Sequence, residues 1–167
     1  MIAPDYVRMM ARYNAWQNDW LFAAVAGLEP AAREVDRGLF WGSVRGTLSH
    51  LMWGDAMWMS RFDGGAGPSS PLTETGSAYD WAALCAQRPV LDARITAWAA
   101  TLAQDTLEGE LSWWSGAAGR EMSKPYTLCV VHFFNHQTHH RGQVHAALTA
   151  LGVTTDDTDI PFMPEAA

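Results

Sequence analysis

The sequence predicts an all-α fold, a four-helix bundle with one small β-hairpin ahead of the last helix. Four segments of roughly 20 to 27 residues carry apolar side chains at helical spacing. Stretches rich in glycine, proline and serine separate them, and only one short segment alternates polar with apolar residues as a strand does.

The first helix runs from Asp5 to about Gly27, where Tyr6, Met9, Met10, Tyr13, Trp16, Trp20 and the run Phe22 to Val25 recur at helical spacing. Asp5, following Pro4, suits its first turn. Gly38 to Gly42 breaks the pattern. Ser43 then suits the N-cap of a second helix, carried by Val44, Thr47, Leu48, Leu51, Trp58 and Phe62 and ending before Gly64-Gly65. Asp63 to Ser77 reads as a loop. The third helix, Tyr79 to about Leu102, is marked by Trp81, Leu84, Leu91, Ile95 and Trp98, with a kink expected at Pro89. Glu110 to Trp113 alternates, and Gly116 to Gly119 turns it back on Arg120 to Ser123, which predicts the hairpin. Pro125 suits position N1 of the last helix, which runs to Leu151 with Gly152 as its stop, ahead of an acidic tail, Asp156 to Asp159.

At 167 residues, 49% hydrophobic and 17% charged, the chain fits one globular domain and is too apolar for a disordered one. Eleven Lys and Arg against eighteen Asp and Glu leave a net charge of −7, which repels phosphate backbones and excludes nucleic-acid binding through a broad basic face. Cys85 and Cys129 lie outside any C-x-x-C and read as reduced, mostly buried thiols of a cytoplasmic protein. The apolar stretch Trp20 to Leu28 is too short to span a bilayer, which takes about 20 residues, and it lacks the flanks of a signal peptide. No membrane partner is expected, and the expected location is the cytoplasm.

Histidine is the informative residue. Five of the six fall within the last predicted helix: His132, His136, His139, His140 and His145. Imidazole is a common ligand for zinc and similar metals, and residues at i and i+4 on a helix stand close enough to share an ion. His132 with His136 and His136 with His140 both have that spacing. All three cannot serve one ion, because eight residues span about 12 Å of axis and a Zn–N bond is about 2 Å. On a helical wheel His140 lies within the apolar stripe of Phe133, Val144, Ala147 and Leu151, whereas His132 and His139 lie off its flank and His145 points away. The wheel therefore selects His136 and His140. A single pair of this kind is more often two hydrogen-bonded helix histidines than a metal site, so two ligands do not define one. The sixth histidine, His50, shares a stripe of the second helix with Thr47, Gly54, Met57 and Arg61, and Gly54 leaves open space beside it that suits a substrate.

Two segments carry a resemblance. Asn135 to Gln143, reading NHQTHHRGQ, resembles the H-x-x-x-H-R-G-Q signature of the DinB/YfiT-like family. Gly42 to Phe62, reading GSVRGTLSHLMWGDAMWMSRF, resembles the segment that bears that family's first metal histidine. The similarity extends to Tyr13-Asn14-Ala15-Trp16 and to the acidic tail. It implies an antiparallel four-helix bundle of that type, commonly a homodimer, with one divalent metal ion held by His50, His136 and His140. Zinc or nickel suits such ligands. The abundance of tryptophan is in keeping with a dimer seam as well as a core.

Three neutral nitrogens with no protein thiolate or carboxylate leave an open coordination position, the pattern of a catalytic site. That position can ionise water for hydrolysis, or a small thiol for transfer to an electrophile. Family relatives resemble either case. Here Gln137 follows His136, so the glutamate base of H-E-x-x-H is missing, which favours a low-molecular-weight thiol and an electrophilic small-molecule substrate. Two residues are candidate helpers. Gln143 lies about 20° from His136 on the wheel and reaches the site, and Asp55 is placed to orient a ligand histidine from behind, although about 140° round its helix from His50. Arg141 is expected to make structural or interface ion pairs, and Cys129 to belong to the core. A non-catalytic stress-response protein whose ion stabilises the bundle is the alternative of another class.

Overall fold

A computed structural model of the chain describes residues 1–165. Within them lie α1 (Pro4–Ala26), α2 (Pro30–Glu34), α3 (Val44–Asp63), α4 (Trp81–Thr101), α5 (Gln104–Glu108), β1 (Glu110–Ser115), β2 (Arg120–Pro125) and α6 (Tyr126–Ala150), so the protein is mostly helical with one small antiparallel sheet. Local chemistry sets the boundaries. Ser43 Oγ accepts from the Gly46 amide to open α3, and Asp80 accepts from Ala83 to open α4. Gly64, at φ +72°, ends α3 in the left-handed conformation that glycine adopts without strain.

Three expectations are corrected. Pro125 is the last residue of β2, paired with Glu110, and caps α6 from outside with ψ 129°, an extended conformation that a strand requires and a first helical residue does not have. Leu151, expected on the buried stripe of the last helix, lies just past the end of α6 and is exposed, whereas α4 continues through the exposed Pro89, where water can take the carbonyl of Cys85 that proline leaves without its donor. Cys129 is buried but Cys85 is exposed, because Leu84, Arg88, Leu91, Asp92 and Ile95 form the inward stripe of α4 and Cys85 stands one residue off it.

Helix α1 packs on α4 and α6, and α3 packs on α4 and α6. Apolar side chains from all four, among them Leu21, Leu48, Ile95 and Phe133, make the core. The acidic tail lies back along α1, held by its backbone rather than its charges: Tyr13 donates to the Thr158 carbonyl at 2.7 Å and Gln17 to that of Asp157 at 2.9 Å. No helix among the described residues is long and apolar enough to cross a membrane.

A polar network crosses this core. Arg88 on α4 bonds Asp55 on α3 at 2.7 Å and forks onto both oxygens of Asp92, one turn along α4, at 2.7 and 3.0 Å. Asn14 and Asn18 of α1 donate to Asp92 at 3.0 and 2.9 Å, and Gln137 of α6 donates to Asp55 at 3.1 Å. Arg141, also on α6, reaches Asn14 Oδ1. Two arginines and two aspartates balance to zero net charge. Burial works against the Arg88 cation, but the two carboxylates outweigh it and raise its pKa.

Removing one member of such a network leaves a buried charge uncompensated, which costs about 3–5 kcal/mol. Arg88→Met is therefore expected to destabilise the protein by about that amount in urea unfolding. A loss below about 1 kcal/mol would show that the buried charges contribute nothing to holding α3 and α4 together.

Candidate metal centre

The sequence stripe of α3 and the wheel of α6 meet at one corner. His50 comes from α3, and His136 and His140 come from successive turns of α6. One ring nitrogen from each lies within 4.8 Å of the other two. The Nε2 atoms of His50 and His136 face each other at 3.1 Å. Ligand atoms on 2.1 Å bonds in a tetrahedral site stand about 3.4 Å apart, close to that spacing. Among the described residues, no carboxylate or thiol joins the cluster.

The far side of each ring is also set. His140 Nδ1 lies 2.8 Å from Gln143 Oε1, an acceptor only, so Nδ1 carries the proton and Nε2 keeps its lone pair. His50 Nδ1 lies 2.9 Å from Thr75 Oγ1, and donation to that hydroxyl frees Nε2 in the same way. Trp41 stacks on the His50 ring at 4.3 Å. His136 Nδ1 is buried with no hydrogen-bond partner, so this nitrogen-rich corner has fewer protons and acceptors than its imidazoles need. A divalent cation that prefers imidazole fits that donor set.

Burial lowers the pKa of all three histidines, to about 4 for His50 and about 3 for His136, and neighbouring imidazoles push the same way. For His140 the Gln143 bond partly opposes burial. Neutral nitrogens are therefore ready at pH 7 without an acid-base step.

Gly54 has a different part from the expected one. A Cβ there would stand 2.8 Å from His136 Cε1, so the space beside His50 is filled by the His136 ring. Room for a ligand lies next to it, in a cavity of about 600 Å³ that both His50 and His136 line. The end of β1 and the start of the turn after it, Trp113 to Ala117, form one wall.

Of the candidate helpers, Gln143 touches a ligand directly. Asp55 does not: it is fully buried and its carboxylate is taken by Arg88 and Gln137, so its link to the site runs through the chain neighbour of His136. Arg141 is buried against Asn14 and lies over the Tyr13 ring, and it forms no ion pair among the described residues. Cys129 is core. His145 bonds Thr155, and His139 is exposed beside His140. Thr75 and Trp41 are not foreseen, because both sit in segments without periodicity that fold onto His50 from outside the helices.

Fold and site together define a helical protein with a three-histidine candidate metal centre. The DinB family model matches residues 1–167, and the chain belongs to the DinB family. No curated protein matches the sequence.

Three consequences for binding are measurable by zinc competition with a chromophoric chelator. His50→Ala, His136→Ala and His140→Ala are each expected to lose stoichiometric metal, whereas His145→Ala keeps it. Gln143→Ala is expected to weaken affinity about 10–100-fold by freeing the His140 ring. Gly54→Ala should weaken it in the same direction, since the methyl displaces His136. Wild-type affinity in Gln143→Ala and Gly54→Ala would remove the case for this ring geometry.

Acid also has a predictable sign. A histidine whose pKa falls from its ordinary 6.5 to about 4 or 3 binds fewer protons folded than unfolded across that interval. Stability of the metal-free protein is therefore full above about pH 6.5 and declines as pH drops toward 4. Thermal midpoints in chelator should fall over that window, and His136→Ala should flatten the fall.

Proposed function

We propose that the protein is a metal-dependent enzyme that transfers a small thiol to an electrophilic small molecule, with His50, His136 and His140 holding one divalent ion, zinc or nickel. The antiparallel four-helix bundle belongs to this reading. The contacts of α1 with α4, α4 with α3, α3 with α6 and α6 with α1 close a ring that supports it.

A divalent ion on three neutral nitrogens supplies Lewis acidity, which ionises a thiol at neutral pH. The chain does the rest. Gln143 and Thr75 hold His140 and His50 in the tautomer whose lone pair faces the site. Trp53, Met57 and Trp58 of α3 and the hairpin give apolar walls to the cavity where the electrophile sits. The S–H proton passes to solvent, sulfur attacks carbon, the C–S bond forms, and the leaving group departs with its electron pair.

One observation carries this reading: the residues lining the cavity include no carboxylate and no cysteine. Water would lack the usual base, and the nucleophile must come from outside the chain. Hydrolysis keeps one observation in its favour, since His132 also lines the cavity, its pKa lowered by burial and then by Arg61.

The discriminating assay offers the zinc- or nickel-loaded protein a panel of small thiols with an activated alkyl or aryl halide. Thiol-dependent turnover is expected that His140→Ala abolishes, that Cys85→Ala and Cys129→Ala retain, and that chelator removes reversibly. Ester or amide cleavage without thiol would replace this reading with the hydrolase. A cobalt-loaded site whose spectrum no thiol perturbs would favour a non-catalytic role.

A further inference from the structure

One cation in the cavity has no partner. Arg61 lies on the stripe of α3 that also carries His50, Gly54 and Met57, and all four line the same cavity. Its guanidinium sits 4.6 Å from the centroid of Trp58 and 5.1 Å from that of Trp113, which are themselves edge to face at 5.6 Å. Among the described residues it makes no hydrogen bond and no ion pair. The acid nearest in sequence, Asp63, is taken by Arg94 at 2.6 Å. Burial disfavours the Arg61 charge. A guanidinium set against two indoles, half-desolvated and without a counter-charge, is arranged to receive an anion through its fork of donors.

Position separates this group from the metal. Eleven residues along a helix are about 16 Å of axis, and although the arginine stem leans back toward the helix start, its head stays turns away from His50. An anion bound there does not sit on the ion.

We propose that Arg61, framed by Trp58 and Trp113, is the anchor for an oxyanion on the substrate, so that the cavity takes a small molecule with a flat apolar body and a carboxylate or phosphate at the end remote from the three histidines. The proposal rests on the cavity being the substrate side of the metal centre, but not on the reaction carried out there. Arg61 touches the ligand and fixes its orientation, while Trp58 and Trp113 supply stacking surface and hold the guanidinium.

Calorimetric titration of the full-length protein, zinc-loaded and chelator-treated, with 2-naphthoate, 2-naphthyl phosphate and the uncharged isostere 2-naphthamide tests it without any thiol or turnover. In both forms one of the anions is expected to bind at least about tenfold more tightly than the amide, and the tighter anion identifies the headgroup. Arg61→Met should cut that preference below about twofold while zinc stoichiometry and the thermal midpoint stay at wild-type values. Arg61→Gln, which keeps length and polarity, is expected to lose it as well, so the test survives if one variant fails to fold. Equal binding of anion and amide by the wild type, or no binding of any probe, overturns the proposal. A preference that both variants retain, or that appears only in the zinc-loaded protein, also overturns it, because the anion is then on the metal. If naphthoate discrimination holds while the thiol assay fails, the anchor stands and the reaction reading falls.

Discussion

The Arg88 guanidinium, buried at 3% exposure of its side chain between Asp55 and Asp92, is the constraint on which the rest of the molecule depends. An isolated charge at such depth is unfavourable, and the carboxylates that neutralise it must come from fixed positions on α3 and α4. Asp55 then binds Gln137, and Asp92 binds the two asparagines of α1. One cation thereby sets the rotation of four helices. The effect on the metal corner is geometric. His136 and His140 are each followed directly by a member of the network, Gln137 and Arg141, about 100° further round α6. Helix α3 is arranged similarly, with His50 toward the metal corner and Asp55 toward the network. Neither helix can turn about its axis to misplace a ligand without breaking a buried polar bond.

That arrangement explains which parts of the molecule were legible in the sequence. The long helices were, because each repeats apolar residues at helical spacing and has a local stop or cap, as at Ser43, Gly64 and Gly152. The pairing of His136 with His140 was legible from the wheel alone, since Phe133, Val144 and Ala147 of its apolar stripe are buried, although Leu151 at the end of that stripe is exposed. The third candidate ligand came from the motif around His50 rather than from any periodicity. Asp55 was singled out, but its place in the buried network was illegible for a physical reason: a carboxylate belongs in water unless a cation meets it, and its cation is 33 residues away on another helix. Thr75 and Trp41 escaped for the same cause, as each meets His50 through a fold of irregular chain that has no repeat to read.

The short hairpin shows how an element can be read correctly and its purpose missed. Its alternation gives the strands, and the observed register pairs Trp113 with Met122. Only the tertiary structure shows that its turn closes the cavity and brings Trp113 over Arg61, opposite Trp58. Trp113 is thus neither core nor free surface, and its indole serves as a wall.

Charge distribution completes the physical picture. The protein carries −7 overall, yet the residues lining the cavity include no carboxylate and one arginine, Arg61. Charges on the outer surface are damped by salt over about 8 Å under physiological conditions, whereas a partly desolvated guanidinium acts at contact distance with much less screening. The acidic exterior therefore does not cancel the interior preference. Salt weakens the exterior's repulsion of an oxyanion beyond that screening distance and Arg61 offers an unpaired donor fork within, whereas a cation would have to displace water beside Arg61 and gain no partner. If Arg61 anchors the ligand as proposed, selection by charge operates inside the cavity, where the ligand must also fit beside the indoles, and shape and charge together separate an aromatic acid from the small anions of the solvent.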